Sequence, residues 1–306
     1  MVLDTIENTL VFSITRTDKL KNKKIKLFIF RFFFASLFML IFPNAKINLG
    51  LSILNKREDG YHNLESIFLP IPITDSLEFI ESDELKFDCN IEIDNEKSNS
   101  VLMAYNLLKE KFELPLLSIY LYKNIPIGAG IGGGSADGAF MLRGLNDFYE
   151  LGLTNKELKD YANKIGSDCP FFIDNKPSFV EGTGEILSEI ELDLSDYYFA
   201  IINPNIHIST KEAFADLTLA NKDRASLLSV IKNEPIENWK NHIFNDFESS
   251  VFKSHPEIEK IKTDLYQKGA IYATMTGTGS TVYGIFKNKI DLDDFDSSYF
   301  KTCVKI

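Results

Sequence analysis

Between Gly128 and Gly134 the chain places five glycines in seven residues, within the stretch Ile125-Pro-Ile-Gly-Ala-Gly-Ile-Gly-Gly-Gly-Ser-Ala-Asp-Gly-Ala139. An alternating apolar run (Leu117, Ile119, Leu121) precedes it, and a segment that reads as a helix, Ala136 to Tyr149, follows. Glycine admits positive φ and carries no Cβ, so successive N–H groups can converge on one anion. A helix starting at Ser135 or Ala136 adds four unpaired N–H groups and the positive end of its dipole. The combination predicts a phosphate cradle. A turn without a ligand would lose much backbone entropy at five glycines and build no core in return.

Three familiar cradles do not fit. A Walker loop needs Lys before its Ser or Thr, and Gly134 stands in that place before Ser135. The dinucleotide fingerprint is formally met by Gly128, Gly130 and Gly133, with Glu150 as the acid. That acid belongs at the end of a second strand, whereas here the helix is only finishing. A protein kinase would carry H-R-D and D-F-G, and neither string occurs.

The chain has 306 residues, room for two domains, and a formal charge of −11. Residues 1–38 hold seven basic and three acidic residues, so the remainder carries −15. So acidic a body excludes nucleic acid as a partner and leaves any phosphate site dependent on local N–H groups and one or two cations. Cys89, Cys169 and Cys303 show no C-x-x-C or metal spacing and fit a reducing compartment, hence an expected cytoplasmic location. The four histidines form no H-E-x-x-H motif.

Ile25 to Phe42 is eighteen residues long and strongly apolar, similar on its face to a short membrane helix. Lys26 and Arg31 inside it, with no small-residue cleavage site, argue against secretion. Residues 1–38 are read instead as an added start with poor order, and no membrane partner is expected unless they act as an anchor.

From Ala45 to Leu54 apolar and polar residues alternate, which predicts a half-buried strand with Lys46 and Asn48 pointing the same way. Asn55 to His62 ends in Asp-Gly before Tyr61 and reads as a hairpin loop. Further strands are expected at 63–73, 76–80 and 85–93, and an amphipathic helix at 99–112. Thr154 to Glu157 is a capping box. Asp168, ahead of Cys-Pro-Phe-Phe, has the ordinary position of an N-cap. Strands separated by lone helices suit an α+β chain rather than a doubly wound one.

Four separated strings carry a resemblance. Pro126-x-x-x-Gly130-x-Gly132-Gly133-Gly134-Ser135 resembles the phosphate loop of the GHMP small-molecule kinases, which include the galacto-, homoserine, mevalonate and phosphomevalonate kinases. Pro43-Asn-Ala-Lys46-Ile-Asn48 with Asp59-Gly60-Tyr61-His62 is similar to the opening of the branch acting on an erythritol that bears a cytidine diphosphate group. Gly166-Ser-Asp168-Cys-Pro170-Phe171 and Met275 to Ser280 resemble two further family segments, so the likeness covers residues 39–290.

The resemblance implies an α+β, two-domain fold: a nucleotide-binding domain at 39–184, a ferredoxin-like domain at 185–306, and the active site in the cleft between them. It implies an ATP-dependent kinase with Mg²⁺, phosphorylating the cytidylyl erythritol in non-mevalonate isoprenoid synthesis. Lys46 and Asp168 are then the catalytic pair, with Asp168 as base. Pro126, Gly128, Gly130, Gly132, Gly133, Gly134 and Ser135 hold the nucleotide. Asn48, Tyr61, His62, Thr210, Phe214 and Gly277 meet the substrate, Tyr61 and Phe214 sandwiching its cytosine while His62 reads the edge. The metal ligands stay open, Ser135 being one candidate. Two departures stand out: Ala136 replaces a common second Ser, and Gly138 a common Ala. The alternatives are another kinase of this family and a non-catalytic nucleotide-binding protein.

Overall fold

The structure is a computed structural model that describes residues 38–93, 98–215, 217 and 224–306. The expectations for residues 1–37 lie outside the described residues. Period-two patterning lays down six strands: β1 (Met39–Ile41), β2 (Asn44–Lys56), β3 (His62–Thr74), β4 (Ser76–Glu81), β5 (Lys86–Cys89) and, after helix α1 (Ser100–Lys109), β6 (Leu117–Tyr122). The end of the apolar run thus pairs with β4 as an edge strand instead of continuing a helix. No helix among the described residues is long and apolar enough to cross a membrane.

Strand β5 stops at Cys89, short of the expected 93. The Asn90 side chain takes over the pairing: its Oδ1 accepts from the Lys123 N–H at 2.7 Å and its Nδ2 donates to the Lys123 carbonyl at 3.1 Å. Helix α2 (Gly133–Phe148) follows the glycine loop, then α3 (Asn155–Ala162), α4 (Cys169–Asp174), and the hairpin β7 (Ser178–Glu181) with β8 (Ile186–Glu189). The Thr154–Glu157 capping box forms as the sequence predicts. Sheet order is β1-β4-β6-β5 in one layer and β2-β3-β7-β8 in another. The β7–β8 hairpin straddles the expected domain division at 184/185 and places both sides of it in the sheet of β2 and β3, β7 pairing with β3 and β8 with β7.

The second half runs β9 (Tyr198–Asn203), α5 (Thr210–Ala215), α6 (Leu227–Asn233), a 3-10 helix (Ile236–Asn241), α7 (Glu248–Ser254), α8 (Pro256–Gln267), β10 (Tyr272–Met275), β11 (Val282–Phe286) and β12 (Phe300–Lys305). Its antiparallel sheet has the order β10-β11-β9-β12, the ferredoxin-like arrangement, but residues 287–299 cross over in turns where a second helix would stand.

Strand β2 was expected to be buried on one face, yet both faces are buried from Ala45 to Ile53. Ala45, Ile47 and Leu49 pack with Ile67 and Leu69 against Phe199, Ile201, Leu227 and Tyr272 of the second half. Gly50, at φ +76°, sits where the β2–β3 register shifts, and its position leaves no room for a Cβ beside Ile243. Beyond that bulge Leu51 and Ile53 join a different cluster with Phe247, Val251 and Met275. Leu51 also bonds the second half directly, its N–H donating to the Phe244 carbonyl and its carbonyl accepting from the Asp246 N–H, both at 2.9 Å. The polar face of β2 therefore has protein over it, and that is where Lys46 and Asn48 point.

Candidate active site

The loop from β6 into α2 is fixed at its start by Asp75, in the turn between β3 and β4. Its Oδ1 accepts from the N–H groups of Asn124 and Ile125 at 2.6 and 2.8 Å, and its Oδ2 accepts from Lys123 Nζ. At the far end Gly132 is the N-cap, in the left-handed region at φ +73°, and α2 begins at Gly133, two residues earlier than expected. Gly133, Gly134 and Ser135 therefore supply first-turn N–H groups at the dipole's positive end.

The glycines have different reasons. A Cβ on Gly130 would lie 2.6 Å from the Thr276 carbonyl and 2.8 Å from that of Gly279, so the loop seats against the second half's glycine turn. One on Gly132 would lie 3.0 Å from Phe172 and 3.1 Å from Lys46 Cγ. Only at Gly134, of these three, is there nothing within 4 Å. Close approach of protein, as much as of ligand, thus explains the run. Pro126, Gly128, Gly130, Gly132, Gly133, Gly134 and Ser135 all line one cleft of about 420 Å³.

Lys46 is 3% exposed, and its N–H donates to the Ile131 carbonyl of the loop at 2.9 Å. Its Nζ lies 3.3 Å from Asp168 Oδ2, donates to Asn48 Oδ1 at 2.8 Å and stands 4.2 Å from the Phe68 ring centre. Asp168 holds the N-cap position of α4 without making a capping hydrogen bond. An ordinary cap would spend its carboxylate on the helix N–H groups; this one faces Lys46. The two residues, 122 positions apart in the chain, meet beside Gly132.

The substrate-side residues are spread over several elements. Tyr61, at the tip of the β2–β3 hairpin, is 66% exposed. Phe214 is stacked on His62, at the start of β3, with ring centres 4.8 Å apart at 25°. Alternation along β3 turns His62 inward toward α5, while the turn leaves Tyr61 outside. Asn48 is 2% exposed, and its carbonyl oxygen is filled by Lys46 Nζ and the Thr276 hydroxyl, so it serves Lys46 before any substrate. Gly277 packs on the phosphate loop, where a Cβ would lie 2.8 Å from the Gly130 carbonyl. Thr210 opens α5, and its side chain lies outside the described residues.

Sequence reasoning missed a buried cluster under the loop. Lys123 Nζ donates to Asp75 and to Asp137 Oδ2, the latter at 2.7 Å, while Asp137 Oδ1 is buried with no hydrogen-bond partner. Burial pushes the Asp137 carboxyl up to about 7, Lys123 opposing the rise and Asp75 adding to it. Burial also works against the Lys123 ammonium, but the two carboxylates together hold its pKa above the ordinary lysine value. A lysine directly before the loop was the available signal; its partners at 75 and 137 have no local spacing that could announce them. Cys169 is buried beside Ser135, and burial pushes its thiol up to about 12, which keeps it inert.

Comparison with known proteins places this geometry in a family. Residues 99–176 match the family described as GHMP kinases N terminal domain, and residues 227–299 the one described as GHMP kinases C terminal. A 4-diphosphocytidyl-2-C-methyl-D-erythritol kinase of Azobacteroides pseudotrichonymphae is 51% identical over 81% of this chain and 94% of its own. The enzyme of the same name from Bacteroides fragilis is 49% identical over 87% of this chain and 100% of its own. The chain belongs to the 4-diphosphocytidyl-2-C-methyl-D-erythritol kinase family. A crystal structure of 4-(cytidine 5'-diphospho)-2C-methyl-D-erythritol kinase superposes with a TM-score of 0.68 at 27% identity, covering 80% of this chain and 89% of that one. The mevalonate kinase of Methanococcus jannaschii shares the fold, with a TM-score of 0.65 at 17% identity over 88% of this chain and 98% of that one.

Proposed function

We propose that this GHMP kinase transfers the γ-phosphoryl group of ATP to the 2-hydroxyl of 4-diphosphocytidyl-2-C-methyl-D-erythritol, a step of non-mevalonate isoprenoid precursor synthesis. The observation that carries the mechanism is the Lys46–Asp168 approach of 3.3 Å beside the N-terminus of α2. The family relatives carry the choice of substrate.

Nucleotide phosphates lie at the N–H groups of Gly133, Gly134 and Ser135, where the open face of Gly134 admits them. Asp168 accepts the proton of the 2-hydroxyl as its oxygen bonds to the γ-phosphorus and the bond from that phosphorus to the β–γ bridging oxygen breaks, releasing ADP. Lys46 orients the attacking oxygen and offsets charge gathering on the moving group. Alignment supplies most of the rate, because little covalent chemistry falls to the protein in phosphoryl transfer.

Mg²⁺, when bound, would neutralise charge on the nucleotide's phosphates. Among the described residues no three acidic, histidine or cysteine side chains are grouped to hold an ion on their own. The fit rests on the orphaned Asp137 Oδ1, a buried oxygen without a hydrogen-bond partner on a residue that lines the same cleft as Ser135. Ser135 and Asp137 are the residues that would hold the ion.

The exposed Tyr61 ring stacks on the cytosine, and the His62–Phe214 stack forms the neighbouring wall. The division between nucleotide and substrate domains falls after Glu189, where the β7–β8 hairpin ends. Three free cysteines support a cytoplasmic setting. A coupled assay of purified protein with Mg-ATP tests the reading. Turnover of the cytidylyl erythritol is expected; turnover of mevalonate or homoserine without it would overturn the choice of substrate.

A further inference from the structure

The Thr276 hydroxyl, in the glycine turn between β10 and β11, is 0% exposed and lies between the two halves of the site. Its Oγ1 accepts from the Asn48 N–H at 2.9 Å and lies 3.1 Å from Asn48 Oδ1 and 3.5 Å from the Gly130 carbonyl. A hydroxyl has one proton to give, and the nearer acceptor is Asn48 Oδ1. That same oxygen accepts from Lys46 Nζ.

The other end of the Asn48 amide is equally determined. Its Nδ2 donates to Ser66 Oγ at 2.8 Å, and Ser66 Oγ in turn donates to the Gly50 carbonyl at 2.7 Å. Ser66 is thereby an acceptor toward Asn48 and Thr276 a donor, so only one orientation of the amide satisfies both. That orientation turns the carbonyl oxygen toward the Lys46 ammonium. The turn itself is registered to β2: Asn245 Nδ2 donates to the carbonyls of Met275 and Gly277 at 2.8 and 2.9 Å, and Asn245 bridges Leu51.

We propose that Thr276 is a positioning residue for Lys46. By orienting Asn48 it holds the ammonium toward Asp168, so that seating the second half's glycine turn on the phosphate loop also assembles the reacting pair. The inference rests on the roles given above to Lys46 and Asp168. It places the effect in the chemical step, because the N–H groups that receive the nucleotide belong to α2 and do not pass through Thr276.

Thr276→Val keeps the shape and removes the hydroxyl, and Thr276→Ser keeps the hydroxyl. Steady-state kinetics, ATP affinity by calorimetry and thermal melting are measured on both. For Thr276→Val, kcat is expected to fall about 10- to 100-fold while ATP affinity stays within about threefold; Thr276→Ser restores kcat to within about threefold of the parent. Adding Thr276→Val to Asn48→Ala should slow turnover no further, since both act through one link. Wild-type kcat in Thr276→Val, alongside an inactive Asp168→Asn, overturns this inference alone. An active Asp168→Asn strikes at the underlying reading instead. A loss of kcat in parallel with melting temperature that Thr276→Ser fails to restore would make Thr276 a packing residue and also overturn the inference.

Discussion

Alanine at two glycines of the phosphate loop, separated by a single residue, should affect stability differently. Gly132 has φ +73°, and a Cβ there would stand 3.0 Å from Phe172 Cζ and 3.1 Å from Lys46 Cγ. Left-handed backbone costs an L-residue roughly 1–2 kcal/mol, and the contacts require a few tenths of an ångström of movement from two side chains, one of them Lys46. Gly132→Ala is therefore expected to lower unfolding free energy by about 1–3 kcal/mol. It should also lower kcat by one to two orders of magnitude, since small misplacements of reacting groups are costly. Gly134 lies in the first turn of α2 with no positive φ and nothing within 4 Å of the added carbon. Gly134→Ala should leave stability unchanged or raise it by up to about 1 kcal/mol, the helix preference of Ala over Gly. Its methyl group projects into the cleft, so ATP affinity should fall while the fold gains. Urea unfolding and ATP calorimetry on the two variants read both quantities. If Gly134→Ala bound ATP like the parent, or Gly132→Ala proved as stable as the parent, the account of the loop would be wrong.

Other outcomes follow from the same geometry. Asp168→Asn should lower kcat by roughly 10²- to 10⁴-fold, the range for losing a general base, with ATP affinity held within a few-fold; rapid turnover in single-cycle experiments would remove Asp168 from its role. Tyr61→Ala should raise KM for the cytidylyl substrate by a factor matching about 1–3 kcal/mol of base stacking, and leave KM for ATP alone; equal shifts in both would refute the stacking role. Asp137 gives a pH signature: its folded carboxyl keeps a proton up to about 7, whereas the unfolded chain releases it near the ordinary value of 3.8. The folded state then binds more protons between those limits, so this group's contribution to stability is present at low pH and is lost as pH rises through about 7. Unfolding curves from pH 5 to 8 should show the parent losing ground to Asp137→Asn, and parallel curves would contradict it.

Much of the scaffold was legible because it is local. The strand around Lys46, the Asp-Gly hairpin, the Thr154 capping box and the helix after the glycines each depend on neighbours within a few residues. The meeting of Lys46 with Asp168 could be named only through resemblance, since no periodicity connects positions on β2 and α4. What escaped was set by distant partners. Burial on both faces of β2 comes from the second half, and the Asp75–Lys123–Asp137 cluster joins a turn, a strand end and a helix. The early end of β5 depends on one side chain, Asn90, imitating backbone toward Lys123. The stacking of His62 on Phe214 was decided by which residue after the turn the strand carries inward.

The apolar layer shared between the two halves bears on how the gene could be divided. Ile47, Leu49 and Leu69 on one side and Phe199, Ile201 and Tyr272 on the other bury one another. A cut after Glu189 would hand each fragment an oily surface with nothing to cover it, so neither should be recoverable when made alone. Produced together, the two pieces should find each other through that surface, and phosphoryl transfer should reappear only in the reunited pair.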